Sequence, residues 1–272
     1  SAYLFFRNFK IEQLLTKWKR RFFSLVIPYI IWNMVALILM LVTHNLEYKG
    51  IPELIYDGFL CIGNSGCVNG PLWYIFRLCE FVLLAPAIFY IVKNKKLILT
   101  IIVIALVFAA NCWFKVGYSQ FSYFLPVFIL GAYLGENVSA SFESHVGNNK
   151  FKWKYMLVSL TLLLGISYCT SVFASISELQ MALRYISLLP FLGVIHSLKF
   201  DKPVKIAFGS MYFYCAHDIV YRIVRTVLLR LNLDITITYF ALIVISFSIL
   251  LVTYLFLKRF CNKFLKVLTG GR

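Results

Sequence analysis

The sequence predicts an all-α integral membrane protein, a polytopic helical bundle with about eight transmembrane helices. Three observations carry this. Of 272 residues, 61% are hydrophobic and only 14% charged, against about half and about a quarter in globular chains. Mean hydropathy is +0.82. The apolar residues fall in long unbroken runs rather than the alternating short strands of a barrel.

Eight such runs occur, at 22–43, 72–92, 97–114, 121–135, 155–174, 183–198, 208–228 and 236–257. The third, fourth and sixth are short for a span of about 20 residues. The charges between them orient the chain. Of 27 Lys and Arg, 20 fall on one set of alternate connections, three on the other and four within runs. By the positive-inside rule both ends of this chain are cytoplasmic. The net charge of +16 is thus an orientation signal, and nucleic-acid binding is set aside. Connections near Gly63, Tyr118, Ser177 and Asn232 are expected outside, and those near Lys95, Asn148 and Lys202 inside.

Local motifs are few. Gly131 and Gly135 form a GxxxG, read as helix packing. Trp73 and Trp153 lie near run ends, as interfacial aromatics do. No cysteine pair has zinc-ligand spacing and none lies beside a histidine, so no structural metal is expected. Cys61 and Cys67 flank a Gly-rich loop and can form a disulfide if that face is oxidising. The nucleophile elbow, the P-loop and HExxH are absent.

Ionisable groups inside apolar runs mark candidate chemistry. The second run carries Arg77 and Glu80, three apart on one helical face. The seventh carries His217, Asp218, Arg222 and Arg225. Asp218 and Arg222 have the spacing of an ion pair. Ser210, Tyr214, His217, Tyr221 and Arg225 form one polar stripe. These groups either pair to hold helices together or line a polar cavity. On this topology Arg77, Arg184, Arg222 and Arg225 fall toward the outer half, which suits an anionic or hydroxyl-rich ligand. The cluster Lys17-Trp18-Lys19-Arg20-Arg21 reads either as a topology determinant or as a phosphate site.

Several segments, in order, resemble membrane acyltransferase family 3, which modifies cell-envelope glycans with acyl groups. Ser1-Ala2-Tyr3-Leu4-Phe5-Phe6 looks like the end of the family's second helix. The basic cluster Lys17 to Arg21 then runs into Pro28-Tyr29-Ile30-Ile31-Trp32-Asn33. Gly70-Pro71-Leu72-Trp73-Tyr74-Ile75 follows, then Tyr123-Phe124 through Gly131. Ser210-Met211-Tyr212-Phe213-Tyr214-Cys215-Ala216-His217 resembles the family's Ser…Tyr-Leu-x-His. The resemblance covers nearly the whole chain. Ala2 stands where the family usually has Gly. Lys17 and Arg20 occupy its Arg-x-x-Arg positions, so the first is a lysine without the bidentate fork.

The resemblance implies a single transmembrane acyltransferase-like domain over 1–272, lacking the first one or two family helices. Removing two of about ten, each about 20 residues long, leaves eight. The family's proposed catalytic histidine lies on the absent first helix, so the resemblance leaves the activity of this fragment alone open. The resemblance also implies an O-acyltransferase of the plasma (inner) membrane, with membrane lipid around it. Its co-substrate is acyl-coenzyme A, with acetyl the expected group and no bound cofactor. The acceptor is a hydroxyl of an envelope glycan or its lipid-linked precursor.

Within this chain, Lys17, Arg20 and Arg21 are the candidates for donor phosphates. His217 is the candidate catalytic residue. Trp73, Tyr74, Arg77, Glu80, Ser210, Tyr214, Asp218, Arg222 and Arg225 are candidates for the acceptor cavity. The rival reading is a transporter or flippase without covalent chemistry. The oligomeric state has no signature in the sequence.

Overall fold

The structure, a computed structural model, describes residues 1–43, 48–62, 67–116, 120–138, 153–173, 175–197, 209–231 and 234–271. The expected loops around Gly63, Tyr118, Asn148, Lys202 and Asn232 lie outside these residues, as do His44 and His145. The described residues are helical and contain no strand.

The helices are α1 (Ala2–Phe6), α2 (Leu14–Arg21), α3 (Ile27–Val42), α4 (Ile51–Glu53), α5 (Trp73–Leu83), α6 (Ala85–Val92) and α7 (Leu97–Trp113). Then come α8 (Leu125–Asn137), α9 (Trp153–Val172), α10 (Ser177–Ile186), α11 (Leu188–Ser197), α12 (Ser210–Leu229), α13 (Ile235–Phe260) and α14 (Asn262–Leu268). Among the described residues three helical stretches are long and apolar enough to cross a membrane: Ile11–Val42, α9 and α13. A fourth qualifies if Gly70–Leu83 and Ala85–Lys95, broken at Leu84, form one span.

The shortfall from eight apolar runs has local causes. Pro86 is the second residue of α6; its ring removes the N–H that would bond to Val82 and ends α5. The sixth run is divided at Ser187 into α10 and α11. The fourth is a 3₁₀ turn, Phe121–Phe124, followed by the 13 residues of α8. The apolar run along the 20 residues of α12 is interrupted by Asp218, Arg222 and Arg225.

Contacts divide the chain into two units, each discontinuous in sequence. The first comprises Ser1–Ile11 and Leu84–Pro203. Its core is aromatic: Phe6 and Phe9 lie 5.3 Å apart by ring centroids, Phe9 lies 5.0 Å from Phe89, and Phe6 lies 6.2 Å from Phe128. The GxxxG of α8 faces α1. A Cβ on Gly135 would come within 2.4 Å of the Tyr3 carbonyl oxygen, and one on Gly131 within 3.0 Å of the Ala2 Cβ. Only glycine at 135 permits that approach.

The second unit comprises Glu12–Leu83 and Val204–Arg272. A π-helical turn, Phe22–Val26, joins α2 to α3 just ahead of Pro28, which cannot donate to the Ser24 carbonyl. On α13 the buried residues Leu242, Ser246, Leu250 and Tyr254 recur every four residues, marking one packed face. Asp234 caps that helix, its Oδ1 accepting from the backbone N–H of Thr236 at 2.8 Å and of Ile237 at 3.4 Å. The large apolar residues of the other faces, such as Phe240, Val244 and Phe247, are exposed, as lipid-facing positions require.

The short α14 packs on α3. Trp32 Nε1 donates to the Leu268 carbonyl at 3.1 Å, and Leu265 and Leu268 are buried. Gly270 N–H bonds to the Val267 carbonyl and Gly271 N–H to that of Lys266, the paired bonds of a Schellman cap. Gly270 has φ +69°, and a Cβ there would lie 2.4 Å from the Ser24 carbonyl oxygen. Both features require glycine at this position.

Candidate active site

Three of the resembling segments converge in the second unit. Asn69 Nδ2 donates to the Cys215 carbonyl at 3.0 Å, and Asn69 N–H donates to Asn33 Oδ1 at 3.2 Å. Asn33 Nδ2 in turn donates to the Tyr29 carbonyl at 3.0 Å. The Trp32 and Tyr212 rings meet edge to face at 5.7 Å. Both asparagines are fully buried. A buried polar network of this kind fixes one arrangement of its helices. Asn69 Oδ1 is a buried acceptor with no hydrogen-bond partner in the described structure.

This network holds the Gly70–Leu72 turn against α12. The Tyr214 hydroxyl donates to the Pro71 carbonyl. Asp218 Oδ2 accepts from Arg222 Nε at 2.9 Å. A Cβ on Gly70 would stand 3.8 Å from Asp218 Oδ2 and 3.9 Å from Arg222 Nη2. Trp73 and Tyr74 open α5 directly after the turn, their rings 6.1 Å apart. Trp73, Tyr74, Tyr214, Asp218 and Arg222 therefore belong to one neighbourhood.

Further along α12, Ser210, His217 and Arg225 are exposed. His217 Nδ1 lies 2.7 Å from the Tyr214 carbonyl and 3.2 Å from that of Phe213. A carbonyl only accepts, so Nδ1 carries the proton. In the neutral ring Nε2 is then the basic nitrogen.

Arg77 and Glu80 form a separate group. Arg77 Nη1 donates to both Glu80 carboxylate oxygens, at 2.8 and 2.7 Å, and Nη2 donates to the Cys61 carbonyl at 2.7 Å. Cys61 is disulfide-bonded to Cys67. Arg77 is only 3% exposed. It clamps the disulfide-bearing segment to α5, and Glu80 compensates its buried charge.

The basic cluster lies on α2, where a cleft of about 390 Å³ opens between α2 with its π turn and α5. Lys19 and Arg21 line it together with Trp18, Phe22, Leu25, Cys79 and Val82; Lys17 and Arg20 do not. Trp18 Nε1 donates to the Val82 carbonyl at 2.8 Å. The sequence reading named Trp18 and Lys19 only within the basic cluster and gave Cys79 no role in a site. The available signal was the 18, 21–22, 25–26 spacing, one face of a continuous helix. Arg184, the remaining cation of the apolar runs, belongs to the first unit. Among the described residues no group of three His, Cys, Asp or Glu side chains gathers as metal ligands do.

The fold and these sites define a helical membrane protein with polar groups placed on apolar helices. The acyltransferase-domain profile of acyltransferase family 3 matches residues 1–257. The chain belongs to that family and is an acyltransferase. Neither the curated proteins nor the solved structures yield a match to it.

Proposed function

We propose that this protein transfers an acyl group, acetyl being the expected one, from acyl-coenzyme A to a hydroxyl of a cell-envelope glycan or its lipid-linked precursor. It acts as a multi-pass plasma-membrane protein with eight spans and both ends of this chain cytoplasmic. The eight apolar runs and the alternating basic connections support that topology.

The observation that carries the donor assignment is the α2–α5 cleft. Its wall of Phe22, Leu25 and Val82 is apolar, and Lys19 and Arg21 stand on its lining. That combination suits a ligand with phosphates at one end and a short acyl thioester at the other. Lys17 and Arg20, on the same helix, add positive charge nearby. In the transfer, the acceptor oxygen bonds to the acyl carbon and the carbon–sulfur bond breaks. Coenzyme A leaves as the thiol, taking up the proton that the hydroxyl gives up. A base must accept that proton first. His217, with Nδ1 tied to its own helix and Nε2 basic, is the candidate within this chain. Tyr214, Asp218, Arg222, Trp73 and Tyr74 are candidates for contacts to the acceptor, with Ser210 and Arg225 flanking them on α12. Arg77 and Glu80 act on this site through the segment they clamp.

The test is glycan mass spectrometry of cells with and without the full-length protein, with acyl-coenzyme A binding to the purified protein. Loss of a fixed acyl mass is expected. Charge-assisted contacts contribute about 1.5–3 kcal/mol each, so neutralising Lys19 and Arg21 together is expected to weaken donor binding more than about tenfold. An unchanged glycan mass and unchanged donor affinity would refute the proposal.

A further inference from the structure

A second cavity lies wholly within the first unit. It is a groove of about 520 Å³ between α9 and α10, a volume typical of small-ligand sites, which run about 300–1,000 Å³. Its lining changes character along α9. Leu163 and Ile166 line one end; Ser167, Thr170 and Ser171 follow on the same helical face. From α10, Gln180 and Arg184 face them, one turn apart.

The polar groups are open. Ser167 and Ser171 form no hydrogen bond with the described residues. Thr170 and Ser187 spend their protons on the carbonyls of Ile166 and Arg184, at 2.8 and 2.7 Å, which leaves their oxygens free to accept. Gln180 Nε2 reaches the Thr170 carbonyl only at 3.5 Å.

Arg184 is the telling residue. Arg77 is paired with Glu80 and Arg222 with Asp218. Among the described residues Arg184 has no carboxylate partner, and its one hydrogen bond is a long one, 3.5 Å from Nη1 to the Tyr123 hydroxyl. Arg184 is exposed in the groove, and the planar fork of its guanidinium matches phosphate oxygens.

We propose that this groove binds an amphiphile whose headgroup is a phosphate-linked polyol. Arg184 takes the phosphate, the α9 hydroxyls and Gln180 take the polyol, and Leu163 with Ile166 take the start of the hydrocarbon tail. The same chemistry occurs in a bilayer phospholipid and in a lipid-linked sugar phosphate. That the second is the natural occupant rests on the function proposed above.

Binding is measured on the purified full-length protein in neutral detergent, without acyl donor. The probes are short-chain phosphatidylglycerol, phosphatidylcholine of equal chain length, octyl glucoside and inorganic phosphate. Phosphatidylglycerol is expected to bind most tightly. Arg184→Gln is expected to weaken it about tenfold or more with the melting temperature unchanged, and Arg184→Lys to recover part of the loss. Unchanged affinity in Arg184→Gln would overturn the proposal. So would inorganic phosphate binding as tightly as the lipid, since the tail would then contribute nothing.

Should Arg184→Gln fail to fold, photoactivatable phosphatidylglycerol on the unsubstituted protein decides. Crosslinks within 153–187 support the groove, and crosslinks only elsewhere refute it. The arms also separate the two readings. Acyl transfer that persists without lipid binding sinks this site alone. Lipid binding without acyl transfer to any lipid-linked sugar leaves the site and assigns it to a bilayer phospholipid.

Discussion

The indole N–H of Trp18 donates to the carbonyl of Val82 at 2.8 Å, and the sequence explains why that carbonyl is available. Its regular helical donor would be residue 86, a proline with no N–H. Trp18→Phe keeps the ring and removes the donor, leaving a buried carbonyl unpaired at a cost of about 1–3 kcal/mol. A lower melting temperature of the purified full-length protein is expected, with weaker acyl-coenzyme A binding because the same residue lines the cleft. An unaltered melting curve would show that the bond contributes nothing.

Gly270 and Gly271 both have positive φ, but a Cβ on Gly271 meets nothing within 4 Å. Alanine at 271 therefore bears only backbone strain, whereas alanine at 270 adds a collision with Ser24. Thermal unfolding is expected to show Gly270→Ala less stable than Gly271→Ala by more than about 1 kcal/mol.

Asn137, the last residue of α8, holds the end of α6. Its Nδ2 donates to the Val92 carbonyl at 2.8 Å, and its Oδ1 accepts from Lys95 N–H at 2.9 Å. Between those contacts Asn94 and Lys95 have positive φ, a conformation uncommon for residues other than glycine. Asn137→Ala removes both bonds. Trypsin is expected to cut the full-length protein after Lys93, Lys95 or Lys96 faster in the variant. Equal cleavage rates would contradict the clamp.

His217 is exposed and, among the described residues, is bonded through Nδ1 to carbonyls of its own helix. Its removal creates no cavity. In the full-length protein His217→Ala and His217→Gln are both expected to lose acyl transfer while keeping the melting temperature of the unsubstituted protein. Full activity in a stably folded His217→Ala would exclude a role in the site.

Backbone hydrogen bonds from Thr236 and Ile237 hold the Asp234 carboxyl below its ordinary value of 3.8. The sign follows: the stability this cap contributes is complete above that value and is lost as pH falls through the lower folded value. The difference in melting temperature between the unsubstituted protein and Asp234→Ala is therefore expected to be larger at pH 7 than at pH 3. A difference independent of pH would mean that the charged cap contributes nothing beyond its shape.

Much of this was legible in the sequence because it is local. The helices follow from apolar runs, the Asp218–Arg222 and Arg77–Glu80 pairs from spacings of four and three, and the GxxxG contact from two small residues. The break at Leu84 was equally local but was masked by the unbroken hydropathy of 72–92. The pairing of Asn69 with Asn33 and Cys215 joins residues 36 and 146 apart, and no periodicity encodes that. The α2–α5 cleft shows the same limit. Charge drew attention to the whole run Lys17 to Arg21, and the turn of the helix decides which of its bases line the cleft, Lys19 and Arg21. The α9–α10 groove escaped notice because serine and threonine are cheap in apolar helices and stand out only when another helix brings an arginine to them.

The bond between Trp32 and the Leu268 carbonyl spans 236 residues. A ribosome adding about 5–20 residues per second leaves that indole waiting for tens of seconds. Throughout that interval the second unit has its early helices but not the late ones that cover them, while the stretch 84–203 emerges and can pack upon α1. The order of completion is thus written into the chain: the inserted unit first, the enclosing one last. A translation pause or a nonsense codon near residue 260 would strand a protein whose groove-bearing half is finished and whose other half still lacks its closing strap.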